Sequence, residues 1–236
     1  DPTEIGFVFI THSHIDHIGR LPKLFKNGFR GKVYATSATR DLMAVALPDN
    51  MKQITEEAKN MGHEPLFNQE DLDGLMALVE GVSYNETIEL GDGLTATFHD
   101  AGHILGSSIV EIKQGDKKIY FSGDLGNPPT PLLRVTEKIT DADYIVVESA
   151  YGDRVHEGRE ERRERLVSII ESTIKRGGVL MIPSFAVERT LVLLYELNGL
   201  FSAEGGSASG GNDKKIPRVP VFVDSPLAIK MTGVYK

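Results

Sequence analysis

Cysteine is absent from the 236 residues, which excludes disulfides, thiolate zinc sites and a cysteine nucleophile together. Such a chain suits a reducing compartment, and the cytoplasm is the expected location. No apolar run approaches the ~20 residues that a membrane span needs, and no signal peptide is visible. Positive charge is in deficit, with 26 Lys and Arg against 34 Asp and Glu and a net charge of −8. That balance argues against charge-driven nucleic-acid binding by the molecule as a whole. Internal repeats are missing too. Locally the balance reverses: residues 1–40 carry Arg20, Lys23, Lys26, Arg30, Lys32 and Arg40 against only Asp1, Glu4 and Asp16.

What is present suffices for one large domain, or for one domain and part of another. Apolar runs that read as buried strands are IGFVFI, KVYAT, LTATF, SSIVEI, KKIYFS, YIVVES, GVLMIP and VPVFVD. SSIVEIKQGDKKIYFS is a hairpin signal turning at Gln114-Gly115-Asp116. Helical patterns fall around 17–26, from Ser37, over 69–80, in GREERRERLVSIIESTIKRGG and in VERTLVLLYELNGLF. In the fourth of these, Leu166, Ile169, Ile170 and Ile174 are expected on one face, and Gly177 offers the stop. Hairpins come first and strand–helix alternation later, so the expected class is α/β with a mixed sheet. SAEGGSASGGNDKK reads as a flexible surface insertion. A boundary is expected near Gly177-Gly178, giving domains over 1–177 and 178–236.

The chemistry concentrates in THSHIDHIGR, residues 11–20, where His12, His14, Asp16 and His17 follow a buried strand. In an extended stretch His12 and His14 point the same way, whereas Asp16 and His17 need a turn. A loop leaving the strand end meets both conditions. One histidine there is ordinarily incidental, but four ligand-type residues in six positions point to a metal. DAGHILGS then places His103 in a glycine-flanked loop before a hairpin strand, and FSGDLG places Asp124 after the other strand. Nitrogen and oxygen donors without sulfur suit zinc, with manganese or iron as weaker candidates. His63 reads as a surface residue and His99 as a core or supporting residue rather than a ligand.

H-x-H-x-D-H, then G-H-x-L-G-S, then S-G-D-L-G resembles the ordered ligand set of the metallo-β-lactamase superfamily. The resemblance implies an αβ/βα sandwich with two zinc ions at the edge of its sheets. It implies His12, His14 and His103 on the first ion, Asp16 and His17 on the second, and Asp124 bridging them. Asp16 would also orient the attacking metal-bound hydroxide, making it a catalytic residue.

Three later stretches, VVESAYGDRVH, IPSFAVERTLVLLYEL and VFVDSPLA, resemble the β-CASP branch of RNA- and DNA-processing nucleases. That likeness implies Glu148 as a second catalytic carboxylate and the start of a β-CASP-type α/β domain. It is closest to bacterial and archaeal ribonucleases akin to the cleavage and polyadenylation endonuclease. Ser149, His156 and Arg189 are the candidate substrate contacts. The branch has earlier strands before H-x-H-x-D-H and two further histidines after DSPLA, and it usually has glycine where Glu188 stands. The chain is therefore read as a piece of a larger protein or a shortened relative, its second zinc site short of a ligand. The expected function is zinc-dependent cleavage of RNA phosphodiesters. The alternatives are a small-substrate hydrolase of the β-lactamase, thioesterase or lactonase type, and a non-catalytic RNA-processing scaffold. Single-stranded RNA is the expected partner, a homodimer the candidate assembly, and no membrane association is expected.

Overall fold

The computed structural model describes residues 1–127, 130–154, 158–202 and 216–235. The expected insertion at 202–215 and His156 fall almost wholly or wholly outside them. The described chain divides into two compact units, one formed by Asp1–Glu148 with Ile229–Lys236 and the other by Ser149–Ala228.

Unit 1 is built on two sheets. Strands β1 (Phe7–Ile10), β2 (Lys32–Thr36) and β3 (Val79–Val82) form a parallel sheet in the order β1-β2-β3. The second sheet runs β4 (Thr87–Gly91), β5 (Leu94–Asp100), β6 (Ser108–Gln114), β7 (Lys117–Phe121) and β8 (Tyr144–Val146). Its first four strands pair antiparallel and β8 adds in parallel. The expected β6–β7 hairpin closes at Gln114↔Lys117 across Gly115-Asp116, with Gly115 at φ +58°. This is the mixed α/β class and the sandwich expected from the sequence.

Period-two alternation decides which side chains meet between the sheets. Tyr34 of β2 packs with Phe98 of β5 and Val110 of β6, flanked by Phe7, Phe9, Val82, Ile88 and Ile112. Phe9 stacks on Tyr34 at 5.8 Å between ring centroids. The alternate residues Val33 and Ala35 are equally buried and face the helical side. There α3 (Ser37–Met61) packs on β2 and β3, and α2 (Leu21–Lys26) packs on α4 (Gln69–Met76). Thr36 caps α3 by accepting the Thr39 N–H, and Asn68 with Asp71 forms a reciprocal capping box on α4. The helix expected over 69–80 thus ends at Met76, because Val79–Val82 is claimed by the parallel sheet.

Unit 2 holds α5 (Arg159–Lys175) and α6 (Arg189–Phe201). Val167 and Ile170 of α5 pack with Leu197 and Leu200 of α6 and with Ile216. Leu166 and Ile174 lie at the margin of this stripe, whereas Ile169 is 44% exposed. The stripe is centred on Val167 and Ile170, with Ile169 turned to solvent rather than onto the expected face. α5 packs on α6, and both lie within Ser149–Ala228. The runs at 178–183 and 219–224 form no strand among the described residues. Glu188 precedes α6 at φ +54°, ψ −60°, near the rare, strained γ-turn conformation, with the Arg189 N–H donating to the Val187 carbonyl at 2.6 Å. A final helix, α7, covers Pro226–Val234.

Candidate metal centre

The C-terminal end of β1 runs directly into the histidine cluster. His14 is still extended at φ −64°, ψ 146°, and the short helix α1 (Ile15–Ile18) starts at the next residue. This supplies the turn that Asp16 and His17 require. The β5–β6 connection carries His103, and the segment after β7 carries Asp124. Three separate strand ends therefore deliver the six residues to one place.

One donor atom each from His12, His14, His103 and Asp124 lies within 4.8 Å of all the others. His12 Nε2 and His103 Nε2 are each 3.5 Å from Asp124 Oδ2. His103 Nε2 faces His14 Nδ1 at 3.2 Å. The three rings stand at 84°, 89° and 78° to one another, so their lone pairs approach a common point from three directions. The other oxygen of Asp124, Oδ1, is 3.5 Å from His17 Nε2, which is itself 3.5 Å from Asp16 Oδ2. Asp124 thus stands between a three-histidine group and an Asp16–His17 group.

The donor set fits a cation. His12 is fully buried, and its Nε2 has no hydrogen-bond partner among the described residues, a costly arrangement unless something else takes up the lone pair. Burial, then the neighbouring charges of His17, His14 and His103, lowers the His12 pKa to about 2. Burial and His103 also lower that of His14. Both rings are therefore held neutral, the form that binds metal. Asp16 is the opposite case, with 76% of its side chain exposed. Beside His17 opens a cleft of about 340 Å³ walled by Phe9, Ile10, Thr11, Val110, Ile112 and Phe121.

Glu148 sits at the close of unit 1. Its Oε1 accepts the N–H of Leu125, the residue after Asp124, at 2.8 Å, and its own N–H donates to Ser122 Oγ. Glu148 therefore grips the Asp124 segment. Gly126 packs so tightly on the backbone of Gly102 that a Cβ there would collide with the Gly102 carbonyl. Ser149 and Arg189 belong to unit 2. His99 lies away from the cluster, its Nδ1 3.0 Å from Glu137 and its Nε2 3.0 Å from Glu111. His63 is exposed. The sequence reading passed over Thr11, whose Oγ1 is 3.1 Å from His12 Nδ1. The signal was available, since a ligating histidine ordinarily hydrogen-bonds through its second nitrogen.

Residues 2–126 match the model of the metallo-beta-lactamase superfamily domain. The chain belongs to that superfamily. It is 37% identical over 235 residues to ribonuclease TTHA0252 of Thermus thermophilus, which covers all of this chain and 50% of that relative. It is 31% identical over 238 residues to cleavage and polyadenylation specificity factor subunit 3-I of Arabidopsis thaliana, covering 100% of this chain and 32% of the other. With transcription termination factor FttA of Pyrococcus horikoshii the identity is 38% over 223 residues, 92% of this chain and 32% of the relative. The chain thus spans half or less of the length of these curated relatives. This company is that of the β-CASP branch. No helix among the described residues is long and apolar enough to cross a membrane.

Proposed function

We propose that this metallo-beta-lactamase chain carries the hydrolytic centre of a two-zinc ribonuclease acting on single-stranded RNA. The observation that carries the reading is the split carboxylate of Asp124. One oxygen is aimed at His12 and His103 and the other at His17, the arrangement a ligand shared by two cations needs. His12, His14 and His103 would hold the first zinc, Asp16 and His17 the second. Two such ions, when bound, acidify a shared water and stabilise negative charge developing on a phosphoryl oxygen.

The protein's own groups prepare that chemistry. Burial keeps His12 and His14 neutral, so their lone pairs are available without prior loss of a proton. Asp16, exposed beside His17, is placed to orient the attacking water and accept its proton. Glu148 holds the Asp124 segment through Leu125 N–H, a positioning role beside the catalytic one that the β-CASP likeness implies. Ser149, His156 and Arg189 are proposed as contacts to the RNA, and the cytoplasm as the compartment. The division into a metallo-β-lactamase-like domain over 1–177 and a β-CASP-like portion over 178–236 is part of the same reading. Relatives named as a ribonuclease and as a cleavage factor subunit support the substrate class.

The test is cleavage of end-labelled single-stranded RNA, with and without chelator, by the chain and its Asp124→Asn variant. Metal-dependent cleavage that disappears in the variant is expected. Cleavage that survives both chelation and Asp124→Asn would remove the proposal.

A further inference from the structure

The first-site histidines come from segments about 90 residues apart, and nothing in the ligands themselves fixes their separation. Two consecutive serines between them do. Ser107 Oγ accepts the N–H of His103 at 2.9 Å and of Ile104 at 3.2 Å. Ser108, the first residue of β6, donates both its N–H, at 2.7 Å, and its Oγ–H, at 3.0 Å, to the carbonyl of Thr11. Thr11 in turn places Oγ1 3.1 Å from His12 Nδ1. We propose that Ser107 and Ser108 are positioning residues for metal binding, a two-sided brace setting the distance between His103 and His12. This inference rests on the metal-centre reading above.

The brace is anchored on every side. Ser107 is fully buried and Ser108 is 1% exposed. The carbonyl of Ser107 accepts the Tyr84 hydroxyl at 2.9 Å and the Ala101 N–H at 3.1 Å. Thr36 and Thr39, both buried, donate their hydroxyls to the Gly106 carbonyl at 2.7 and 2.8 Å. Gly106 itself stands at φ +80°, where a Cβ would strike Thr39, so the loop comes down onto the β2–α3 junction. The His103 loop is thus tied to the first sheet at Gly106 and, one peptide away, to the end of β1 at Ser108. A buried serine that merely satisfied backbone donors would stabilise the loop. A serine whose neighbour clamps the other histidine segment also sets the bite of the ligands; loss of the outer contacts that orient ligating histidines changes metal affinity by roughly 10–100-fold.

The experiment titrates cobalt(II) into metal-free full chain, Ser107→Ala, Ser108→Ala and Tyr84→Phe, following visible absorption and chelator competition. Circular dichroism and melting are recorded on the metal-free proteins. Ser107→Ala is expected to weaken the tighter cobalt site about tenfold or more and to shift its absorption bands. Ser108→Ala should do the same more weakly. A folded Ser107→Ala with unchanged affinity and unchanged bands overturns the brace. Should Ser107→Ala fail to fold, Tyr84→Phe, which removes one oxygen from behind Ser107, decides by the same bands: shifted bands support the brace and unshifted bands overturn it. Wild-type chain that binds no cobalt refutes the metal centre itself, a result distinct from failure of the brace.

Discussion

The two halves of the metal centre are built differently. The half formed by His12, His14 and His103 is sunk at the ends of two sheets, with its backbone fastened by Ser107, Ser108, Thr36 and Thr39. The half formed by Asp16 and His17 rides on the short helix α1, with Asp16 largely exposed beside an open cleft. Rigid, desolvated donors lose little freedom on binding, whereas an exposed carboxylate must be ordered by the cation it takes. On the two-zinc proposal, the difference predicts a tight first site and an exchangeable second one, joined through Asp124.

The largest effect should come from the shared ligand. Asp124→Asn is expected to leave both sites weak and RNA cleavage undetectable, with circular dichroism unchanged; elemental analysis after gel filtration checks the metal content. His103→Ala should come next, abolishing the tight site in a chelator titration. Asp16→Asn should spare that site and remove only the weaker phase, and a variant that lost both phases would erase the distinction between the halves.

Acid should sharpen the contrast further. His12 in the folded, metal-free protein titrates near 2, while an unfolded histidine titrates near 6.5. Between those values the unfolded state binds the extra proton, so stability falls as pH drops below about 6.5, by about 1.4 kcal/mol per unit for such a group. Lowering of His14 adds in the same direction. Urea melts of metal-free protein between pH 7 and pH 5 measure the slope, and a flat profile would contradict the burial argument. The smallest effect lies outside both halves. Glu188→Gly relieves a left-handed backbone and should stabilise unit 2 by about 1 kcal/mol, without altering metal content.

How much of this was legible in the sequence follows from what kind of signal each feature sends. Candidate metal ligands announce themselves by type and spacing, so His12, His14, His103 and Asp124, whose donor atoms converge in the structure, could be named before any fold, with Asp16 and His17 as proposed partners. Continuous apolar runs send an equally plain signal, as in FVFI and in KVYAT, which is buried from Val33 to Thr36. By contrast β3 and β4, in VEGVSYNETIELG, are short and half polar, and neither stood out. The runs at 178–183 and 219–224 erred the other way. Apolar composition reports a wish for burial and says nothing of a pairing partner, and Val179, Met181 and Phe222 are more than four-fifths exposed. Supporting contacts were hardest to see. Ser108 acts on the backbone carbonyl of Thr11, a group every residue possesses, and only the three-dimensional path from β1 to β6 reveals it.

Gly126 carries a consequence for anyone reading this protein through its tolerated variants. It has no side chain to offer a cation or a substrate, yet any side chain at that position would push the Asp124 segment off the His103 loop. A saturation screen scored on survival would rank it beside the histidines. Genetic intolerance at this site would then record the thickness of a methyl group, and a map of essential positions would overstate the number of residues that do chemistry.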